Sequence, residues 1–323
     1  MNEMNQPVTS AAESYARLLE SLGKQLYWVN NIPWYRYNGF LRPAFLPHQC
    51  PRIDLDTAQK ALKKSSTTFA RWEHPKAGDK SSAWWLVNRR GTYSRSDLSG
   101  NTRSKVRRGH KRLKIRQVTG PELIEKSWRT CQAAVRRYGK KGFMPPSDYP
   151  SRLAKSLESC PDKLQVYGIF KGDSLLGFSE NHVQGNAVLF ESIWLDPEGL
   201  RDYSSYALFD SMLDHYLNEM QLSYVSDGTR TLHHETGVHE FLIDKFGFQR
   251  EPAYLHVVYR PCFSGLVHGA FPLRRLIRTA KNFLKLDALE KAEGILMQES
   301  IRRASLENGS AKETRWQEGT RIK

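Results

Sequence analysis

The sequence predicts a mixed α/β fold, because strand-like apolar runs alternate with helical segments along most of the chain. The clearest evidence lies in residues 187–248, where an apolar strand over 187–195 stops at Asp196-Pro197. A helix over 205–220, a strand over 222–225, a turn at Asp227-Gly228 and a helix over 238–245 follow in order. The 323 residues, 39% of them hydrophobic, are enough to bury substantial cores.

The rest of the chain follows the same alternation. The turn at 171–174 separates strands at 164–170 and 175–183, which predicts a β-hairpin, and a second turn at 184–186 leads into the strand at 187. The remaining predicted helices are 11–22, 58–64, about 101–109, 121–138 and 152–159, and the remaining strands are 27–29, 34–39, 67–72, 83–87 and 114–118.

Composition restricts the possible environment and partners. A net charge of +15 favours polyanionic partners such as nucleic acid, anionic lipid or a phosphate-rich cofactor. Four widely spaced cysteines without a Cys-x-x-Cys pair argue against disulfides and a zinc site, and they fit a reducing cytoplasm. No apolar run reaches the roughly 18 residues of a membrane span, and the first residues do not resemble a secretory signal. We therefore expect a cytoplasmic protein.

A dense basic segment lies between residues 103 and 116, with eight cations in fourteen residues. It predicts a helix followed by a strand. One interpretation is binding to phosphate or RNA by charge neutralisation, and the other is a solvated helix face. The candidate phosphate- or RNA-binding residues are Arg103, Lys105, Arg107, Arg108 and Lys111.

Two stretches carry a resemblance to a known superfamily. The order of hairpin, Asp-Pro loop, helix, strand, helix and Gly-Phe over residues 164–260 resembles the acyl-CoA-binding half of GNAT acyltransferases. The earlier Trp84-Trp85 strand, followed by the basic segment from Asn101 to Gly109, resembles the Fem-type branch with two GNAT-like halves. The resemblance implies a degenerate first half over 1–118, an acyltransferase domain over 119–262, an amphipathic helical extension over 263–307 and a disordered tail over 308–323.

This resemblance implies an enzyme that transfers an acetyl or other acyl group from acyl-CoA to an amine or hydroxyl. A small molecule or a cell-envelope or polysaccharide precursor is the expected acceptor. Two alternatives stay open: a Fem-type aminoacyltransferase that uses aminoacyl-tRNA, and a non-catalytic RNA- or membrane-associated protein with the same fold.

The sequence departs from the GNAT pattern at two points. In GNAT enzymes a glycine-rich loop cradles the CoA pyrophosphate at a helix N-terminus. Aligned on Arg201, the glycine positions hold Ser204 and Tyr206, so Arg201, Ser204 and Ser205 are the candidate CoA-binding residues. A tyrosine that many GNAT enzymes use as the acid is replaced by Ile243, so another proton donor is required.

The candidate catalytic residues are Glu191, Glu180 and His234. Glu191 lies within an apolar strand, where burial would raise its pKa toward the range of a general base; a paired structural carboxylate is the alternative. Glu180 and His182 share a face of the preceding strand, and a two-residue turn would place Glu180 opposite Glu191 and His182 opposite Leu189. A solvated strand edge is the alternative for that pair.

A histidine cluster follows Asp227. His234, beside His233 and Glu235, is a candidate acid or base, since histidine titrates near neutral pH. The spacing from His234 to His239 is five, not the four of a metal-binding His-Glu-x-x-His helix, so we expect no metal site.

The C-terminal segment 271–286 predicts a basic amphipathic helix, followed by a second helix over 287–305. Its apolar face would either contact an anionic membrane surface, which would place the protein at the periphery of the inner membrane, or pack on the protein body or a second subunit. The apolar residues are Leu273, Leu276, Ile277, Ala280 and Leu284, and the cations are Arg274, Arg275, Arg278, Lys281 and Lys285.

Overall fold

A computed structural model describes residues 9–46, 49–75, 82–138, 144–230, 232, 237–284 and 286–308. The helices are α1 Thr9–Ser21, α2 Leu55–Ser65, α3 Gly100–Arg112, α4 Gly120–Tyr138, α5 Tyr149–Ser159, α6 Pro197–Arg201, α7 Ser204–Leu213, α8 Gly237–Phe246, α9 Pro261–Ala270, α10 Arg274–Leu284 and α11 Asp287–Asn308. The strands are β1 Leu26–Val29, β2 Ile32–Tyr37, β3 Phe40–Pro43, β4 Phe69–Pro75, β5 Trp85–Arg90, β6 Lys114–Gln117, β7 Leu164–Lys171, β8 Ser174–Gln184, β9 Ala187–Leu195, β10 Tyr224–Thr229 and β11 Gln249–Tyr259.

The strands form one eleven-stranded sheet in the order β1-β2-β3-β4-β11-β5-β10-β9-β8-β7-β6. The pairs are antiparallel except β3 with β4 and β9 with β10. The mixed α/β fold predicted from the sequence is confirmed, including the C-terminal helices. Strand β5, from the first 118 residues, pairs with both β10 and β11, so the sheet is continuous between the two proposed halves. The division into domains stays a prediction.

Helices cover both faces of the β6–β10 part of the sheet. On one face α7 and α8 bury residues such as Phe209, Leu242 and Phe246 against β9 and β10. On the other face α1, α4 and α5 bury residues such as Leu18, Leu123 and Leu153 against β7 and β8. The two faces of β9 therefore have different surroundings, and this difference decides where the polar residues of the site lie.

Strands β9 and β10 pair over a short distance and then separate. Their parallel pairing runs from Ala187 with Tyr224 to Leu189 with Ser226. Beyond Leu189, β9 remains paired with β8, while β10 keeps its pairing with β5 through an irregular step. The separation of two neighbouring strands opens a gap in the sheet.

The predicted helix over 205–220 is present as α7 and a π-helical turn, Asp214–Glu219. Strands β3 and β11 and helices α6 and α9 were not predicted. Strand β3 is only four residues long and ends in a proline, β11 combines charged residues with a proline, and α6 is only five residues long. The tail over 309–323 lies outside the described residues. No helix in the described part of the chain has the length and apolar character that crossing a membrane requires.

Candidate functional site

Glu191 occupies a β-bulge in β9. In the pair of β8 with β9, Asn181 lies opposite Phe190 and Glu180 lies opposite Ser192, so Glu191 is the extra residue. Bulges are frequent beside active sites, because the extra residue leaves the ladder and the strand bends there. The bulge lies just beyond Leu189, the last residue of β9 that pairs with β10, and is therefore close to the gap between the two strands.

The predicted register was correct only as far as the bulge. His182 lies opposite Leu189, as a two-residue turn at Gly185 requires. The pairing of Glu180 with Glu191 is wrong, because the inserted residue shifts the register and brings Ser192 opposite Glu180.

The half-buried Glu191 carboxylate faces the N-terminal strands. Its charge is the largest cause that raises the pKa of Tyr37, to about 12. Burial, with a further contribution from Glu191, raises the pKa of the Tyr35 hydroxyl. Tyr35 and Tyr37 alternate on β2 and therefore share a face. We call the group of side chains formed by Glu191, Tyr35, Tyr37 and Arg42 the Glu191 cleft.

Burial raises the pKa of Glu191 itself, although the positive charges of His182 and Arg42 oppose the shift. Among the described residues, no hydrogen bond or ion pair joins the Glu191 carboxylate to a side chain. Arg42 instead lies 3.9 Å from Glu73 and 5.2 Å from the centre of the Tyr37 ring. A partly accessible carboxylate with a raised pKa and no partner can accept a proton.

A buried hydrogen-bond network supports this cleft. The His182 ring lies 2.7 Å from Glu180 through Nε2 and 3.2 Å from the Tyr15 hydroxyl through Nδ1. The Tyr149 and Ser192 hydroxyls also donate to Glu180, at 2.7 and 3.2 Å. Burial opposes both charges, but their hydrogen bond lowers the pKa of Glu180 and raises that of His182. Glu180 therefore has a full set of donors, which suits positioning better than proton abstraction.

Of the predicted CoA-binding residues, Ser204 and Ser205 begin α7, and Arg201 is the last residue of α6. Tyr203 precedes the helix in a left-handed conformation, with φ of 64°, an unusual value for a bulky residue. The Ser204 hydroxyl is fully buried and has no hydrogen-bond partner in the described structure. Ser205 is half-buried, and Arg201 is exposed at the end of α6 beside Asp202. The first helical turn presents free N–H groups, as helix N-termini do.

Aromatic rings fill the space between this turn and α8. Tyr206 meets Phe241 edge to face at 5.0 Å, and both rings contact Phe246. Lys105 of α3 lies 5.2 Å above the Tyr206 ring. The first turn of α7 is thus enclosed by α8 on one side and by α3 on another.

Helix α3 packs closely on α7. A Cβ on Gly109 would lie 2.9 Å from the carbonyl oxygen of Tyr203, so only glycine permits this approach. The fully buried Asp210 of α7 accepts hydrogen bonds from Tyr93, Arg95 and His110 at 2.7–3.1 Å. These contacts hold the basic helix in place.

The five predicted phosphate- or RNA-binding cations divide into two groups. Arg103 donates to backbone carbonyls near its own helix start, Lys105 to the Tyr206 hydroxyl and Arg108 to the Tyr203 hydroxyl. Arg107 and Lys111 are exposed and, within the described parts of the chain, have no acidic partner. They are four residues apart and share one helix face.

A second buried acid lies on the opposite side of the sheet. Burial raises the pKa of Asp227 to about 8, so this carboxyl is mostly neutral at pH 7. Its Oδ2 is 3.3 Å from Nε2 of His239 on α8. The predicted acid or base His234 lies outside the described residues. The described residues contain no group of three or more His, Cys, Asp or Glu side chains that could hold a metal ion.

Solved structures with a similar fold give the context of this site. The C-terminal domain of a candidate lysylphosphatidylglycerol synthetase from Agrobacterium fabrum matches with a TM-score of 0.51 and 14% identity, over 80% of this chain and 89% of that chain. FemX matches with a TM-score of 0.49 and 9% identity, over 82% and 99%.

A PaiA N-acetyltransferase from Thermoplasma acidophilum, in complex with coenzyme A, matches over only 34% of this chain and 74% of its own, with 16% identity and a TM-score of 0.29. The similarity to the Agrobacterium domain shows the fold of this chain, in agreement with the fold class expected from the sequence. No protein-family model matches the chain, and no curated protein is similar in sequence.

Several residues of the cleft were not identified from the sequence. Tyr15, Tyr35, Tyr37 and Arg42 come from α1, β2 and β3, far from Glu191 in the chain. The alternation of Tyr35 and Tyr37 on one strand face was a detectable signal. Nothing local indicated that this face meets β9.

Proposed function

We propose that this protein is an acyltransferase that uses the Glu191 cleft to transfer an acyl group to an amine or hydroxyl. The main support is one observation: a half-buried carboxylate, which has no partner among the residues that the structure describes, lies on a bulge just beyond the point where the pairing of two parallel strands ends. Its raised pKa favours proton abstraction near neutral pH.

In this proposal Glu191 removes a proton from the acceptor nitrogen or oxygen. That atom forms a bond to the acyl carbonyl carbon, and the bond from that carbon to the carrier's oxygen or sulfur breaks. The carrier atom leaves with the bonding electron pair and takes up the proton that Glu191 removed, so Glu191 is again ionised at the end of the step. Backbone N–H groups around the bulge are suited to stabilising the carbonyl oxygen as it gains negative charge. The hydroxyls of Tyr35 and Tyr37 would orient the acceptor, and Glu180 and His182 would hold the floor of the cleft.

For the donor we favour an aminoacyl ester carried on tRNA. The rings of Tyr206 and Phe241 pack against each other beside the α7 turn, and we expect them to hinder a CoA molecule there. Arg107 and Lys111, on the neighbouring helix, offer uncompensated positive charge to a phosphate backbone. Ser204 and Tyr206, which stand at the two glycine positions of the GNAT loop, also favour a donor other than acyl-CoA.

An acyl-CoA donor, with acetyl-CoA as the simplest case, is the second candidate. The buried Ser204 hydroxyl without a partner favours it, because an anion at the α7 turn would supply the missing hydrogen bond. Arg201 could then pair with phosphate from the exposed end of α6. The acceptor class, a small molecule or a cell-envelope or polysaccharide precursor, remains part of the proposal.

Ligand-induced stabilisation separates the two donors. The melting temperature would be measured with aminoacylated tRNA, uncharged tRNA, acetyl-CoA and a longer acyl-CoA, since a ligand that binds only the folded state raises it. We expect a rise with tRNA and none with millimolar acyl-CoA. A rise with acyl-CoA alone would overturn the tRNA assignment, and no rise with any donor would contradict the acyltransferase proposal.

The variant Phe241→Ala tests whether the rings of Tyr206 and Phe241 prevent CoA from binding. If they do, the variant gains binding to acetyl-CoA while its tRNA binding stays unchanged. Leu242→Ala, at the buried neighbouring position, is the matched control for loss of core packing. Acyl-CoA binding that is equal in wild type and Phe241→Ala would show that the rings are not the obstacle.

A further inference from the structure

Helix α10 carries an apolar face without a covering partner in the described structure. Leu273, just before the helix, and Leu276, Phe283 and Leu284 within it are 51, 67, 81 and 60% exposed. Their spacing places them, with Ala280, on one side of the helix. Large apolar side chains concentrated in this way mark an interaction surface and not scattered surface residues.

The opposite side of the same helix is basic. Arg275 and Arg278 are exposed, and the half-buried Arg274 begins the helix. The α10 segment contains no acidic residue. A partner that covers this helix must therefore accept apolar side chains and, along the margin, several positive charges.

The attachment of α10 keeps the apolar face directed outward. Helix α10 packs on α11, and α11 packs on β11 of the central sheet. Arg278 of α10 lies 3.7 Å from Glu293 of α11. Ile277, at the edge of the apolar face, is only half-buried, so the contact with α11 uses one flank of α10 and leaves the larger apolar side chains accessible.

We propose that α10 docks the protein on an anionic membrane surface, lying in the interface with its apolar side toward the lipid. Apolar side chains on one flank and arginine and lysine on the other are what binding at an anionic lipid surface requires. A second protein subunit could cover the apolar side, but it would need a matching acidic margin. Exposed Leu266 of the preceding helix α9 adds a further apolar side chain to this region.

Sedimentation with lipid vesicles tests the proposal on the full-length protein. Vesicles of phosphatidylglycerol and phosphatidylcholine would be compared with vesicles of phosphatidylcholine alone. We expect co-sedimentation only with the anionic vesicles, weakened at high salt because exposed charges are screened. Absence of binding to the anionic vesicles would overturn the proposal.

Variants assign the binding to α10. Leu276→Glu/Phe283→Glu is expected to reduce vesicle binding to background without lowering the melting temperature, and Arg275→Glu to weaken it roughly tenfold. Ile124→Glu, at an exposed apolar position of α4, is the matched control and should bind as wild type does. Equal binding by the double variant would overturn the assignment.

The molecular mass in solution tests the alternative that a second copy of the chain covers α10. We expect the wild-type protein and the Leu276→Glu/Phe283→Glu variant to have the same mass by light scattering. A wild-type dimer that the double variant converts to a monomer, together with no binding to vesicles, would show that a second copy covers α10 and would overturn the membrane proposal.

Discussion

The Glu191 cleft lies at β9, and the first turn of α7 follows β9 in the chain. The two places contain different kinds of side chain. The cleft contains tyrosine hydroxyls, an arginine and a carboxylate that has no partner in the described segments of the chain. The α7 turn is closed by the rings of Tyr206 and Phe241 and by helix α3. In the proposed function, the polar groups that act on the acceptor and the surface that holds the carrier can therefore change independently on one fold.

The closed α7 turn depends most strongly on Asp210. Because Asp210→Ala removes a fully buried carboxylate and leaves Tyr93, Arg95 and His110 without their acceptor, we expect the free energy of unfolding to fall by about 3 kcal/mol. Chemical denaturation measures it, with Asp173→Ala in an exposed turn as the control. A loss no larger than that of the control would show that α3 is held by other contacts.

Asp227, on the opposite side of the sheet from Glu191, is expected to make the stability of the protein depend on pH. Its folded pKa of about 8 exceeds the ordinary value of 3.8, so its contribution to stability is complete below about pH 4 and is lost as the pH rises toward 8. The amide in Asp227→Asn stays neutral throughout. The free energy of unfolding of the variant should therefore rise relative to that of the wild-type protein by up to about 1.4 kcal/mol per pH unit between pH 5 and 8.

Unfolding experiments at pH 5, 6, 7 and 8 measure this difference. His239 faces Asp227 and is a second titratable group at this place, and burial lowers the pKa of its ring. The substitution His239→Gln, made in both the wild-type and the Asp227→Asn protein, removes the contribution of His239 to the pH dependence. A stability difference between the wild-type and Asp227→Asn proteins that does not change with pH would mean that the carboxyl is not buried in solution.

The basic face of α3 is expected to give the smallest effect. Arg107→Ala/Lys111→Ala removes two exposed cations, so tRNA affinity should fall roughly tenfold and the slope of log K against log salt should fall by about 1.5. Filter binding over a salt series measures both quantities. Lys63→Ala/Lys155→Ala removes the same charge from exposed positions on α2 and α5. Equal losses in both double variants would indicate a general effect of net charge.

Most elements of the fold could be predicted from local sequence, whereas the positions of the site residues depended on long-range contacts. The β8–β9 hairpin and its register near the turn followed from alternation and turn residues. The bulge at Glu191 did not, because one inserted residue has no sequence signature when both faces of a strand are apolar or half-buried. Its consequence is that Ser192, and not Glu191, lies opposite Glu180.

The basic helix illustrates the same limit. The sequence predicted a cationic helix near residues 101–112, and α3 is present there. Which of its cations remain free could not be predicted, since Lys105 contacts Tyr206, 101 residues later in the chain, and Arg108 contacts Tyr203, 95 residues later. In α10 the amphipathic pattern was predictable, but its outward exposure depends on the packing of α11.

The central claim is that Glu191 is the general base, and donor turnover in Glu191→Gln tests it most directly. Loss of the acyl group from the bound donor, with water or an acceptor as nucleophile, would be followed in wild type, Glu191→Gln and the exposed control Glu125→Gln. We predict a decrease of ~10² or more in rate for Glu191→Gln, with donor affinity and melting temperature nearly unchanged. Full turnover in Glu191→Gln would contradict the account.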